Sequence, residues 1–163
     1  MNLPERKPNR LEKFDYSLAG YYFITICTAD RKAILSRIVG APSGRPQEII
    51  LTQYGKIVEE VIKDIPKHYK NTEIEKFVIM PNHIHMILKI AENGGRPMGA
   101  PTVSQIIRQT KGVIARKVGF SVFQRSFYDH IIRDENDYLQ IWNYIDGNPL
   151  KWAEDEYYTN NNF

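Results

Sequence analysis

This sequence predicts an α+β fold with the element order β-α-β-β-α-β-α, on three observations. Stretches rich in aromatic and β-branched residues alternate with stretches whose apolar residues recur at helical spacing. A Pro81-Asn82 break separates two adjacent strand patterns, as a tight antiparallel connection requires. The chain of 163 residues is the size of one ordinary domain with a core of its own.

The first strand is expected over Tyr21 to Ala29; it is apolar on both faces, which places it at the centre of a sheet. Thr52 then caps a helix in which Tyr54, Ile57, Val58, Val61, Ile62 and Ile65 form the sheet-facing stripe, with Pro66 close to its end. Two strands follow, about Glu73 to Met80 and His83 to Ala91. A second helix carries Val103, Ile106, Ile107, Thr110, Val113, Ile114 and Val118, with Arg108, Lys111 and Arg116 mostly on its other side. A further strand is expected from Ser121 to about Ile132, and Asp134 starts a last helix with Tyr138, Ile141, Trp142 and Ile145 on one stripe. The first six elements match the split βαβ, or ferredoxin-like, sandwich: both crossover helices cover one face of an antiparallel sheet and leave the other open. The last helix is added to this unit, and the open face is expected to carry two histidines.

The organisation expected is one domain over residues 1–163, with a basic, mobile lead (1–19, including Arg6, Lys7, Arg10 and Lys13) and a flexible tail (153–163). Two loops rich in glycine and proline, around Arg45 and Arg96, read as linkers or as arms that bring an arginine to a phosphate backbone. A formal charge of +3 and a pI near 8.9 permit nucleic-acid binding without requiring it. Cys27 is the only cysteine, which excludes an internal disulfide and a Cys-x-x-Cys zinc site. No apolar run approaches the ~20 residues that span a bilayer. A soluble, cytoplasmic protein without membrane contact is therefore expected.

The run Met80-Pro81-Asn82-His83-Ile84-His85-Met86 carries the chemistry. Alternate residues of a strand share a face, so both imidazoles point one way while Ile84, Met86, Leu88 and Ile90 supply an apolar layer on the other. Two nitrogen donors side by side suit a metal, zinc as readily as another. A histidine-triad nucleotide hydrolase is excluded because the third position on that face is Ile87. On the last helix, Tyr144 lies roughly 100° from the centre of the apolar stripe. Asn148 is four residues on, beside Gly147 and Pro149. Spacing alone favours an amphipathic boundary tyrosine at 144 and a helix cap at 148 over a functional role for either.

Four blocks in order resemble a known family: Val78-Ile79-Met80-Pro81-Asn82-His83-Ile84-His85-Met86-Ile87, Val103 to Lys111, Phe123 to Glu135, and Tyr144-Ile145-Asp146-Gly147-Asn148-Pro149. Over roughly Tyr21 to Trp152 the chain is similar to the single-tyrosine HUH transposases of bacterial insertion sequences, and most of all to their REP-associated tyrosine transposase branch. The resemblance implies His83, His85 and Asn148 as metal ligands, Mg²⁺ or Mn²⁺ as the ion, and Tyr144 as nucleophile. Tyr138 is the competing phenol but lies on the core stripe. The implied substrate is single-stranded DNA folded into imperfect hairpins, cut and rejoined through a 5′-phosphotyrosine. Candidate DNA contacts are Arg108, Lys111, Arg116, Arg125, His130 and Arg133, and exposed aromatics such as Tyr128 offer stacking surfaces. Such enzymes act as homodimers or, in the REP-associated branch, as monomers. The alternatives are a hairpin-binding protein that does not cut and a metal-dependent nuclease that uses water.

Overall fold

Apolar side chains on both faces of β1 (Gly20–Cys27) put this strand in the interior of a sheet, and the computed structural model, which describes residues 19–40, 47–92 and 100–158, places it there. The chain continues through β2 (Ser36–Val39), β3 (Glu48–Leu51), α1 (Gln53–His68), β4 (Thr72–Ile79), β5 (His83–Ile90), α2 (Val103–Val118), β6 (Tyr128–Ile132) and α3 (Glu135–Gly147). The main sheet has the order β4-β5-β1-β6 and is antiparallel throughout. Each crossover helix thus joins two strands that have a third between them, which is the ferredoxin-like arrangement expected.

The helix ends follow from side-chain capping. Thr52 Oγ1 accepts from the Gly55 amide (3.2 Å), and Thr102 and Gln105 form a reciprocal capping box on α2. Asp134 Oδ1 accepts from the Asp137 amide (2.8 Å) at the start of α3. Beneath the sheet, Tyr22, Ile24 and Ile26 of β1 and Ile84, Met86 and Leu88 of β5 pack with Val58, Ile62, Ile106 and Ile107 of the two crossover helices. The parity of these residues turns His83 and His85 to the opposite face.

Three differences from the expectation have physical causes. The hairpin β2–β3 was not anticipated; it packs Ile38 and Ile49 on the histidine face, and the Ser36 hydroxyl donates to the Ile79 carbonyl (2.9 Å). Of the strand expected from Ser121 to Ile132, only Tyr128–Ile132 forms: the carbonyls of Gln124, Arg125 and Ser126 accept from Lys111 Nζ (2.8, 3.3 and 3.0 Å). The face expected to lie open is covered. Helix α3 seats Ile145 and Trp142 against Phe23, Val78 and Ile87, and a 3-10 segment, Pro149–Glu154, then turns back over the start of β5. Residues 153–158, placed in the flexible tail by sequence, belong to this cover. The basic lead up to residue 18, Arg45, Arg96 and residues 159–163 lie outside the described residues. No helix among the described residues is long and apolar enough to cross a membrane.

Gly55 marks a close approach of α1 to the segment before β2, since a methyl group there would meet the Leu35 carbonyl oxygen at 2.0 Å. That carbonyl already accepts from the Thr52 amide (3.0 Å). Gly55→Ala is expected to cost about 1–3 kcal/mol through overpacking, read from urea unfolding.

Candidate active site

Antiparallel pairing of β1 with β5 sets Thr25 beside His85 and Cys27 beside His83. Thr25 Oγ1 lies 2.8 Å from His85 Nδ1. On His83 the partner is Asn82, whose Nδ2 donates to the carbonyls of Tyr157 (2.6 Å) and Arg31 (3.3 Å). Its Oδ1 therefore faces His83 Nδ1, at 2.9 Å, as an acceptor, and His83 carries its proton on Nδ1. The lone pair of His83 Nε2 then points at His85 Nε2, 3.1 Å away. The Thr25 hydroxyl can donate to or accept from His85 Nδ1. When it accepts, both Nε2 lone pairs converge on one point, and anchoring of this kind at the far nitrogen is how proteins orient metal-binding imidazoles.

Both rings are buried, His83 at 0% and His85 at 1% exposure, where an open surface was expected. The Tyr157 ring lies 4.6 Å from His83 and the Trp152 ring 5.9 Å, centroid to centroid. Burial holds the imidazoles neutral: desolvation lowers His83 to about 4, with the Asp155 carboxylate and the Asn148 amide acting in the other direction. Desolvation, then His83, keeps His85 well below the ordinary range. Cys27 is half-buried, and burial raises its thiol.

Helix α3 delivers the other two sequence candidates. Tyr144 is 44% exposed, its ring 5.2 Å from His85 and 6.1 Å edge-on from Phe23. Loss of hydration, then the charges of Asp155 and Glu156, raise its phenol to about 12, against the lowering effect of Asn148. The helix runs through Gly147, and Asn148 keeps right-handed helical geometry (φ −60, ψ −42) despite Pro149, so it remains one turn beyond Tyr144. Tyr138, the competing phenol, instead donates to Glu75 Oε2 (3.2 Å) and packs against Trp142.

Sequence reasoning missed Asp155, which it had assigned to an acidic tail. Its Oδ2 lies 3.8 Å from His83 Nε2, and ligand-type atoms of His83, His85 and Asp155 all fall within 4.8 Å of one another. Asn148, 3% exposed, donates from Nδ2 to Asp155 Oδ2 (2.9 Å), which leaves its Oδ1 buried without a donor among the described residues. A buried acceptor in that state is costly, and a cation satisfies it. Two imidazole nitrogens, an orphaned amide oxygen and a carboxylate form a donor set that fits a divalent ion.

The six candidate DNA contacts are not gathered at this site. Arg108 and Arg116 are exposed on α2, beyond the helical face of the sheet. Lys111 is spent on the loop carbonyls, yet with Arg108 and exposed Arg125 it lines a cleft of about 370 Å³. His130 Nε2 pairs with Asp137 Oδ2 at 2.8 Å, and that oxygen also accepts from the Arg133 amide (3.2 Å). A groove of about 670 Å³ runs from His85 and Tyr144 past Tyr128 and His130, and a second, of about 340 Å³, lies between Tyr144, Asn148 and Lys151.

Because both imidazoles are protonated more readily in the unfolded chain, near its ordinary pKa of about 6.5, the folded state loses stability as pH falls. The loss develops from about pH 6.5 towards the folded value of about 4 for His83. The unfolding free energy in urea is expected to decline between pH 7 and 4.5, and a His83→Asn, His85→Asn variant is expected to flatten that slope.

No protein-family model matches the chain. It is 35% identical over 173 aligned positions to an uncharacterized protein of Haemophilus influenzae, covering 94% of this chain and 93% of that one. It is 30% identical over 108 positions to the REP-associated tyrosine transposase of Escherichia coli (66% of this chain, 61% of that one). A second Haemophilus influenzae protein, named for the same kind of transposase, is 25% identical over 146 positions (84% and 74%). Among solved structures, a REP-associated tyrosine transposase bound to a REP hairpin shares the fold with a TM-score of 0.61 at 23% identity, over 87% of this chain and 74% of that one. These named relatives and that shared fold bear out the resemblance of the chain to the REP-associated tyrosine transposases.

Proposed function

We propose that this protein cleaves and rejoins single-stranded DNA carrying imperfect hairpins, with Tyr144 as nucleophile and Mg²⁺ or Mn²⁺ held by His83, His85 and Asn148. The observation that carries this reading is the convergence, from elements about sixty residues apart, of the Tyr144 ring on His85 beside the orphaned oxygen of Asn148. The substrate class is supported by the hairpin bound to the similar solved structure. When bound, such an ion would draw charge from a non-bridging phosphate oxygen and ease attack at phosphorus.

The residues supply the rest. The Tyr144 oxygen forms a bond to phosphorus as the bond from phosphorus to the 3′ oxygen breaks, leaving a 5′-phosphotyrosine and a 3′-hydroxyl that takes up a proton. With a pKa of about 12, the phenol is protonated at neutral pH and must give up that proton during attack. Asp155 and Glu156 are the carboxylates whose charge reaches it. One ester replaces another, so the same path in reverse reseals a strand without ATP. The two grooves flanking Tyr144 offer a strand a path across the phenol. Arg108, Arg116, Arg125 and Arg133, with Lys111 and His130 behind them, would hold hairpin phosphates, a contribution that salt weakens. One chain offers one such nucleophile, and a homodimer would bring two for exchange of two ends.

A second reading, a hairpin-binding protein that does not cut, is favoured by the Tyr157 ring that closes over His83 and His85. A phosphodiester reaches the imidazoles only if that ring swings aside. Mixing a labelled hairpin oligonucleotide, drawn from palindromes flanking the coding region, with protein and Mn²⁺ is expected to yield a covalent species stable to denaturant. Tyr144→Phe should lower adduct formation by more than about a thousandfold. Equal, negligible adduct from both proteins would leave only binding, and cleavage that survives Tyr144→Phe would point to water as nucleophile. Tyr157→Ala keeps the backbone bonds to Asn82 and Asp155 and is expected to speed adduct formation several-fold; an unchanged or slower rate would show that the ring is no barrier.

A further inference from the structure

We propose that Asp155 is a ligand of the same cation and supplies the negative charge that the other ligands lack. The inference rests on the cation reading above and adds to it a fourth protein ligand, from the segment after α3. His83, His85 and Asn148 are all neutral donors, and hard divalent cations such as Mg²⁺ and Mn²⁺ are held chiefly by oxygen and by carboxylate charge. A site made of those three alone would place a dication in a buried pocket with nothing to balance it.

The Asp155 carboxylate is placed to do so. Its side chain is 2% exposed and its Oδ2 lies 3.8 Å from His83 Nε2. For ligands about 2.1 Å from an octahedral ion, neighbouring donors are about 3 Å apart and opposite ones about 4.2 Å. The 3.1 Å between the two Nε2 atoms and the 3.8 Å from His83 Nε2 to Asp155 Oδ2 fall within that scale. The carboxylate is also oriented: Oδ1 accepts from the Tyr157 amide (2.8 Å) and Oδ2 from Asn148 Nδ2 (2.9 Å). That second bond turns the nine-tenths-buried Asn148 so that its unpartnered Oδ1 remains free as a further donor atom. Burying a carboxylate is costly, and a cation between it and the two imidazoles would offset that cost.

The test measures Mn²⁺ binding to the full chain by calorimetry and by loss of the free-ion electron paramagnetic resonance signal. Asp155→Asn can accept from Asn148 with its one amide oxygen, so it removes the buried charge while keeping that bond, and the relief of buried charge offsets the bond lost from the Tyr157 amide. It is expected to weaken Mn²⁺ binding by at least about ten- to a hundredfold, with its thermal midpoint in EDTA close to wild type. Mn²⁺ binding by Asp155→Asn equal to wild type would overturn the proposal, even if Asp155→Ala binds poorly, because Asp155 would then only position Asn148. His83→Ala separates the two readings: if it too binds Mn²⁺ as wild type does, the cation site itself falls. Should Asp155→Asn not fold, substoichiometric Mn²⁺ is expected to broaden the Asp155 carboxyl ¹³C resonance of the wild-type protein beyond detection, and a sharp resonance would refute ligation.

Discussion

The pairing register of β1 against β5 is the constraint on which the site depends. Thr25 faces His85 only because the strands align as they do, and a slip of one residue would turn both imidazoles into the helical core. That register is held from below by Tyr22, Ile24 and Ile26 against Ile84, Met86 and Leu88, all within a buried cluster. Core packing thus has a chemical consequence on the opposite face of the sheet. Once the strands are aligned, Thr25 and Asn82 hold the Nδ1 atoms and aim the two Nε2 atoms at each other.

Burial then decides the protonation of what the register has assembled. Imidazoles closed off by Tyr157 and Trp152 lose hydration, and the neutral form with a free lone pair is the one that survives. A carboxylate in the same pocket would be destabilising unless hydrogen bonds or a cation met its charge, and two donors already meet part of it. The groups that close the site are therefore the same groups that complete its polar lining.

Helix α3 shows how one short element serves structure and chemistry together. Ile145 is 1% exposed and anchors the helix to the sheet, while its neighbour Tyr144 stands off the buried stripe beside His85. Much of this was legible: the helix start at Asp134, the stripe of Tyr138, Ile141, Trp142 and Ile145, and the marginal position of Tyr144 follow from a repeat of 3.6 residues. The shared face of His83 and His85 follows from a repeat of two. Not legible were the hairpin β2–β3, whose strands of four residues are too short for a clear alternation, and the end of the strand before β6, where Lys111 draws the carbonyls out of any ladder.

Spacing and residue type alone determined that two imidazoles lie on one face, that the sheet has its helices on the other, and that Tyr144 and Asn148 share one side of a helix. These are properties of neighbours within a few residues, and local backbone geometry enforces them. Only the tertiary structure decided that Pro149–Glu154 folds back, that Asp155 meets His83 across seventy-two positions of chain, and that Tyr157 shuts the pocket. Such meetings depend on which surfaces remain to be buried after the sheet and its helices have packed. No periodicity in the sequence encodes that remainder.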